Sequence, residues 1–269
     1  MAFFRMIVES KSLGRDDYIN VIVPSRVIQR LKEDRGRRFR TLWLIHVGGG
    51  DCYQWQERSR IIDYLEDREL IVVMPTIRST HCRNIGRGDY PDYTAHELRD
   101  TVANLFPISL RREDNYICGG SFGGYFAIYT AMCYPEQFGG MISMCSPLDP
   151  IIDDYRTLSH GGHSPCRLEG PPESRRGTKL DLPWFVQQCW RDGIDLPRMY
   201  QTVGTEDMTY TGNLSFLQAV RETGYDHTWV QDGGWHDWEF WDSHICDVID
   251  WMLDSPTRTQ EGGIENGSD

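Results

Sequence analysis

Apolar and polar positions alternate along this chain with two periods. Residues 3–9 and 18–23 carry alternating or apolar β-formers such as Tyr18, Ile19, Val21 and Val23, with Leu13-Gly14-Arg15-Asp16 between them. That pattern predicts an antiparallel hairpin at a sheet edge. Thr41–His46 and Leu70–Met74 are continuous apolar runs of strand length, as expected for strands buried on both faces, and Pro75 ends the second. Between them Ile61, Ile62 and Leu65 recur at helical spacing within 58–70. The same alternation continues through a helix over 93–110 (Leu98, Val102 and Leu105 on one face), a short strand at 116–118 and a helix carrying Ala127, Ile128, Ala131 and Met132. A strand at 139–145, a strand at 198–203, a helix at 213–222, a strand at 227–231 and an amphipathic helix at 238–253 complete it. Helices alternating with buried strands predict one α/β domain over residues 1–254.

Three stretches break the rhythm. Residues 76–92 are rich in Arg, Gly, Asp and Asn, and a loop of that length often forms the rim of a functional site. Residues 147–197 are dominated by Pro, Gly, Arg and Asp, with aromatic islands at Trp184, Phe185 and Trp190, and read as a lid-like insertion. Its aromatic side chains either pack onto the body, the preferred expectation, or line an acyl or aryl pocket. Residues 255–269 are polar and glycine-rich, the composition of a disordered tail.

Composition narrows the function. A chain of 269 residues with 39% hydrophobic content can bury a full core. A net charge of −12 argues against a nucleic-acid surface, which needs clustered Lys and Arg to displace counterions. The basic runs at 35–40 and 175–179 are short and interrupted, and are expected to be solvated loops. Met1-Ala2-Phe3-Phe4-Arg5 has too little apolar length for a signal peptide, and no run approaches the roughly 20 apolar residues of a membrane span. A soluble, cytoplasmic protein is expected, free or as a homo-oligomer. Of the eight cysteines, Cys118, Cys133 and Cys145 lie in apolar elements without C-x-x-C spacing, so reduced thiols are expected rather than disulfides or zinc. His160 and His163 have no acidic or thiol partners at ligand spacing, and no metal or other cofactor is expected.

The chemistry concentrates between Asn115 and Tyr134. Gly119-Gly120-Ser121-Phe122-Gly123 is a G-x-S-x-G pattern set between an apolar strand and an Ala-containing helix. Small flanking residues there let a strained strand-to-helix turn push a serine oxygen out of the fold, and the helix N-terminus favours negative charge beside it. A serine nucleophile needs a base and an acid that orients the base. Asp207 and His236 each follow a C-terminal strand, giving the chain order Ser, Asp, His, and parallel strands would bring the three loops to one sheet edge. Glu206, Asp232 and Asp237 compete for the acid role, and His46, His81 and His244 for the base. The first buried strand runs into His46-Val47-Gly48-Gly49-Gly50-Asp51, a glycine loop with N–H groups free to line an oxyanion site; it lacks the Gly-Lys-Ser/Thr ending of a P-loop.

These residues give the chain a family likeness. With the opening Met1-Ala2-Phe3-Phe4, Leu70-Ile71-Val72-Val73-Met74-Pro75, Asp92-Tyr93-Thr94-Ala95, Tyr134-Pro135-Glu136-Gln137-Phe138, Glu206-Asp207 and His236 followed by Trp238 and Trp241, it resembles the tributyrin esterase family of α/β-hydrolases from Met1 to about Leu253. That family is related to S-formylglutathione hydrolase (esterase D) and to family 1 carbohydrate esterases. The resemblance implies an α/β-hydrolase fold, a mostly parallel central sheet with helices on both faces. It also implies Ser121 as nucleophile, Asp207 as acid, His236 as base, and an oxyanion hole from the backbone N–H groups of Phe122 and Gly48. Two departures stand out: Val47 where the family usually has glycine after the histidine, and Phe122 where it usually has methionine. The expected activity is hydrolysis of short-chain acyl esters through an acyl-enzyme, without a cofactor. Deacylation of sugar or feruloyl esters, cleavage of an S-formylglutathione-type thioester, and a catalytically silent binding module are the alternatives.

Overall fold

The computed structural model describes residues 1–78, 89–149, 151–153 and 172–254. In these residues β1 (Ala2–Ser10), β2 (Arg15–Val23), β3 (Arg40–Ile45), β4 (Leu70–Pro75), β5 (Asn115–Gly120), β6 (Gly140–Met144), β7 (Arg198–Gly204) and β8 (His227–Asp232) form one sheet in the order β1-β2-β4-β3-β5-β6-β7-β8. The hairpin β1–β2 is antiparallel and sits at one edge, with β2 antiparallel to β4; the pairings from β4 to β8 are parallel. This is the α/β-hydrolase arrangement.

Parallel neighbours need crossovers, and the helices supply them on both faces. One face is covered by α1 (Ser25–Glu33), α4 (Tyr90–Ala95), α5 (Glu97–Leu105), α6 (Phe122–Cys133), α7 (Leu182–Arg191) and α8 (Tyr210–Arg221). The other carries α2 (Gln54–Arg58), α3 (Ile61–Leu65) and α9 (Trp238–Leu253). Strand side chains divide between the two cores with period two: Trp43, Ile45 and Ile117 point to the first, Leu42, Leu44 and Cys118 to the second. Every residue of β4, and every residue of β3 after Arg40, is buried, which is why those strands read as unbroken apolar runs. Among the described residues no helix is long and apolar enough to cross a membrane.

Two expected helices have other bounds in the structure. The helix expected over 58–70 is shorter, α3 at Ile61–Leu65; α2 ends ahead of it at Arg58, and at Ser59-Arg60 between them Asp242 of α9 accepts from both the Arg60 N–H (2.7 Å) and its Nε (2.9 Å). The helix expected over 93–110 divides at His96. Beyond the break, Glu97 accepts the backbone N–H groups of Lys11 (2.7 Å) and Ser12 (3.0 Å), tying α5 to the β1–β2 turn. Within 147–197, residues 182–191 form the crossover helix α7, with Leu182, Phe185, Val186 and Cys189 buried in the first core. Trp184 packs against that core and Trp190 is exposed. Residues 154–171, most of the rest of that stretch, lie outside the described residues, as do His81, His160, His163 and the tail at 255–269.

From β3 the chain goes to β4 on one side and, after α4 and α5, to β5 on the other. The strand order therefore reverses between β3 and β5, and their C-terminal loops diverge to open a crevice, the usual ligand position in a doubly wound sheet. Gly48 follows β3 and Ser121 follows β5.

Candidate active site

Backbone packed on backbone makes the turn at Ser121. A Cβ at Gly119 would meet the Gly123 backbone, and one at Gly123 would meet the carbonyls of His46 and Ile45 at the end of β3. Glycine at both positions lets α6 start directly above β3 and β5. Ser121 is forced to φ +51°, a region costly for a residue with a Cβ, and is held there by its N–H bond to the Met144 carbonyl (2.8 Å). Its side chain emerges at the N-terminus of α6.

His236 lies between β8 and α9, with Asp237 capping α9 by accepting the Phe240 N–H at 3.1 Å. Asp207 lies in the turn after β7. His236 Nε2 is 2.8 Å from Ser121 Oγ, and His236 Nδ1 is 2.8 Å from Asp207 Oδ2 and 3.1 Å from Oδ1. Asp207 is buried; burial alone would raise its pKa, but the His236 hydrogen bond and charge, the Thr209 N–H and the neighbouring Cys145 thiol outweigh it and lower the pKa. The carboxylate is thus ionised and can only accept, so Nδ1 carries the imidazole proton. Nε2 is left to accept from the serine hydroxyl. The Trp241 ring meets the imidazole edge to face, at 5.2 Å between centroids.

The competing residues are engaged in other work. His46 is buried between the ends of β3 and β4: Nδ1 donates to the Val47 carbonyl (2.8 Å) and Nε2 accepts the Ile77 N–H (2.9 Å). Burial lowers its pKa, which keeps it neutral in that bridge. His244 bonds the Phe240 carbonyl at 2.9 Å within α9. Glu206 accepts the Gly234 N–H (2.6 Å) and Asp232 the Gly233 N–H (2.8 Å).

The β3 loop comes up beside the turn, with Gly48 against Phe122: a Cβ on Gly48 would stand 3.5 Å from the Phe122 Cβ. Gln54 Oε1 accepts the Val47 N–H (3.2 Å), and the Gly50 N–H bonds the Val47 carbonyl (3.1 Å). That leaves the Gly48 N–H without a partner among the described residues. The Val47 side chain points inward, buried in the second core beside Gly120, so the β-branched residue does not narrow the crevice. The Phe122 ring is half-buried against Tyr125, at 6.1 Å between centroids. Among the described residues no group of three or more His, Cys, Asp or Glu is placed to hold a metal ion.

A family model described as "Putative esterase" matches residues 10–252. The chain belongs to this esterase family. It is 26% identical over 261 residues to an acetyl esterase from Caldicellulosiruptor saccharolyticus, covering 94% of this chain and 98% of that protein. Its structure is similar to that of FphF, a fluorophosphonate-binding serine hydrolase of Staphylococcus aureus, with a TM-score of 0.84, 25% identity, and 94% and 99% of the two chains covered. The S-formylglutathione hydrolase FrmB of the same organism superposes with a TM-score of 0.84 at 24% identity, covering 94% and 99%, which shows a common fold. The protein is a serine ester hydrolase, a carboxylesterase.

Several residues around the esterase's site escaped the reading of the sequence. Thr209, two residues after Asp207, gives the carboxylate two hydrogen bonds, and the spacing Asp-x-Thr was a usable signal for a local Asx turn. Cys145, at φ +49° after β6, and Asn213, buried in α8, have no local signature, because the partners that place them, Thr202 for the Cys145 N–H and the Ser146 carbonyl for Asn213, are far away in the chain.

Proposed function

We propose that Ser121, His236 and Asp207 are the catalytic triad of this esterase and that it acts on short-chain acyl esters. In the first half-reaction Ser121 Oγ attacks the acyl carbonyl and its proton passes to His236 Nε2. The tetrahedral oxyanion is held by the N–H groups of Phe122, at the start of α6, and of Gly48. His236 then gives its proton to the departing alcohol, leaving an acyl-serine. Water, deprotonated by the same nitrogen, releases the acid and restores the hydroxyl. Asp207 fixes the tautomer and offsets the positive charge of the imidazolium. One observation carries this reading: the unbroken line Asp207–His236–Ser121, with 2.8 Å at each step, at the sheet's switch point. The short acyl preference is supported by the acetyl esterase relative and by the half-buried Phe122 ring next to the nucleophile.

Six described cysteines are free thiols, which supports a reducing, cytoplasmic setting. The test is covalent labelling with a fluorophosphonate followed by peptide mapping, together with Ser121→Ala. The label is expected on Ser121, and the variant is expected to lose about 10⁴-fold or more in kcat while keeping its fold. Labelling elsewhere, or a variant with a tenth of the wild-type turnover, would sink the assignment.

A further inference from the structure

Thr209 stands at the N-cap of α8, where a threonine hydroxyl ordinarily accepts a helix N–H. Here it makes no such bond. Its N–H and its hydroxyl both donate to Asp207 Oδ1, at 2.7 and 2.8 Å. The carboxyl group of Asp153, from another loop, lies against the first turn of α8. A Cβ at position 212 would overlap that carboxyl group.

The bonds continue away from the site. Asn213 Nδ2 donates to the Ser146 carbonyl (2.6 Å), the Thr209 carbonyl (2.8 Å) and Thr209 Oγ1 (3.2 Å). Its Oδ1 accepts from Gln201 Nε2 (2.9 Å), and Gln201 Oε1 faces His227 Nε2 (3.1 Å). The carbonyls around Nδ2 fix the Asn213 amide, Asn213 Oδ1 then fixes Gln201, and Gln201 Oε1 requires a proton on His227 Nε2. Each donor in the series thus points toward Asp207. Gln201 and Asn213 are fully buried and Thr209 nearly so, so water does not compete for these bonds. In a water-free series of aligned donors each bond polarises the next.

We infer that Thr209, Asn213 and Gln201 are positioning residues for catalysis, a buried hydrogen-bond chain that terminates on Asp207 and fixes the carboxylate that orients His236. The inference rests on the triad reading above. Asn213 is the joint, since through Ser146 and Thr209 it ties the exits of β6 and β7 together. Were the chain only a way to satisfy buried polar groups, breaking it would lower stability and leave turnover alone.

Thr209→Val keeps the volume and the backbone N–H bond, so the turn should survive while the hydroxyl donor is lost. Loss of one hydrogen bond to a charged acceptor should lower kcat about tenfold at unchanged KM for p-nitrophenyl acetate. The low-field proton resonance of His236 Nδ1–H should move upfield. Thr209→Ser, which restores the donor, should return kcat to within about twofold of wild type. Gln201→Met should lower kcat by a smaller factor, non-additively with Thr209→Val. Wild-type turnover and an unmoved resonance in Thr209→Val would overturn the inference while fluorophosphonate labelling of Ser121 kept the triad. A wild-type protein not labelled at Ser121 would instead remove the triad and the inference together. Gln201→Met with a lower Tm but unchanged kcat would cut the chain at Asn213.

Discussion

Gly123→Ala tests whether the nucleophile turn is a close-packed device or an ordinary helix start. Two effects oppose each other. Alanine in place of glycine in a helix is favourable by up to about 1 kcal/mol. Against it, a Cβ at position 123 would lie 2.8 Å from the Ile45 carbonyl oxygen and closer still to that of His46, where ordinary contact begins at 3.4 Å. α6 and the end of β3 would have to part by more than half an ångström. Neither side yields easily: the Ile45 carbonyl is held by Trp55 Nε1 at 2.8 Å, and β3 is paired on both edges. Overpacking of this kind costs about 1–3 kcal/mol, and with rigid partners the upper end applies. The net loss of about 2 kcal/mol corresponds to a fall in Tm of about 4–8 °C at about 2–4 °C per kcal/mol for a domain of this size. The shift would also move Ser121 relative to Gly48, and a misplacement of about 1 Å is worth about 100-fold in rate. Thermal unfolding and p-nitrophenyl acetate turnover measure both. Gly233→Ala, with no atom within 4 Å of its Cβ position, is the control and should change neither. A Gly123→Ala protein with unchanged or raised Tm and full turnover would refute the reasoning.

Asp207→Asn should lower kcat about 10⁴-fold, because an amide stabilises the wrong imidazole tautomer, whereas Asp232→Asn and Asp237→Asn, which bond only backbone N–H groups, should lose far less. Turnover of the three variants side by side decides, and an equal loss at Asp232 would move the acid role. On a p-nitrophenyl ester series below micelle concentration, kcat/KM for butyrate should exceed that for decanoate by about tenfold or more, with Phe122→Ala narrowing the gap; equal rates in the wild type would refute a shallow acyl pocket. Burial, with the charge of Asp149 adding to it, raises Asp153 from the ordinary 3.8 to about 8, so the folded protein keeps a proton that the unfolded chain releases. Its contribution to stability is therefore full below about pH 4, falls as pH rises, and is gone above about 8. Urea midpoints at pH 5 and 8 should converge in Asp153→Asn, and an unchanged difference would show that Asp153 is not the group responsible.

The sheet was legible in the sequence because its central strands are buried on both faces, so β3 and β4 appear as continuous apolar runs of strand length. The meeting of Ser121, Asp207 and His236 was legible for a related reason: each follows a readable strand, and parallel strands bring such ends together. What escaped depends on contacts between distant residues. No pattern within 93–110 says that Glu97 will bind the turn at 11–12, which goes with the break at His96. The spacing Leu182, Phe185, Val186 and Cys189 is helical, but the surrounding Pro, Gly and Arg concealed a core crossover helix inside what looked like a lid. The bulk of Val47 was visible and its direction was not; the residue faces the core.

Two residues with a Cβ adopt left-handed backbone conformations among the described residues, Ser121 and Cys145, and their placement ties the strain to the chemistry. They follow the adjacent strands β5 and β6. The Ser121 N–H bonds Met144 on β6, and the Cys145 N–H bonds the Thr202 carbonyl on β7, both at 2.8 Å, so each sharp turn is fastened to the next strand. Each such conformation costs about 1–3 kcal/mol and persists only where its surroundings over-determine it. Here the sheet's own hydrogen bonds do that, and they carry the order from β5 through β6 to β7, where Asp207 leaves the sheet. The serine and the acid, 86 positions apart, are thereby held in register by three strand ends rather than by the loops that bear them.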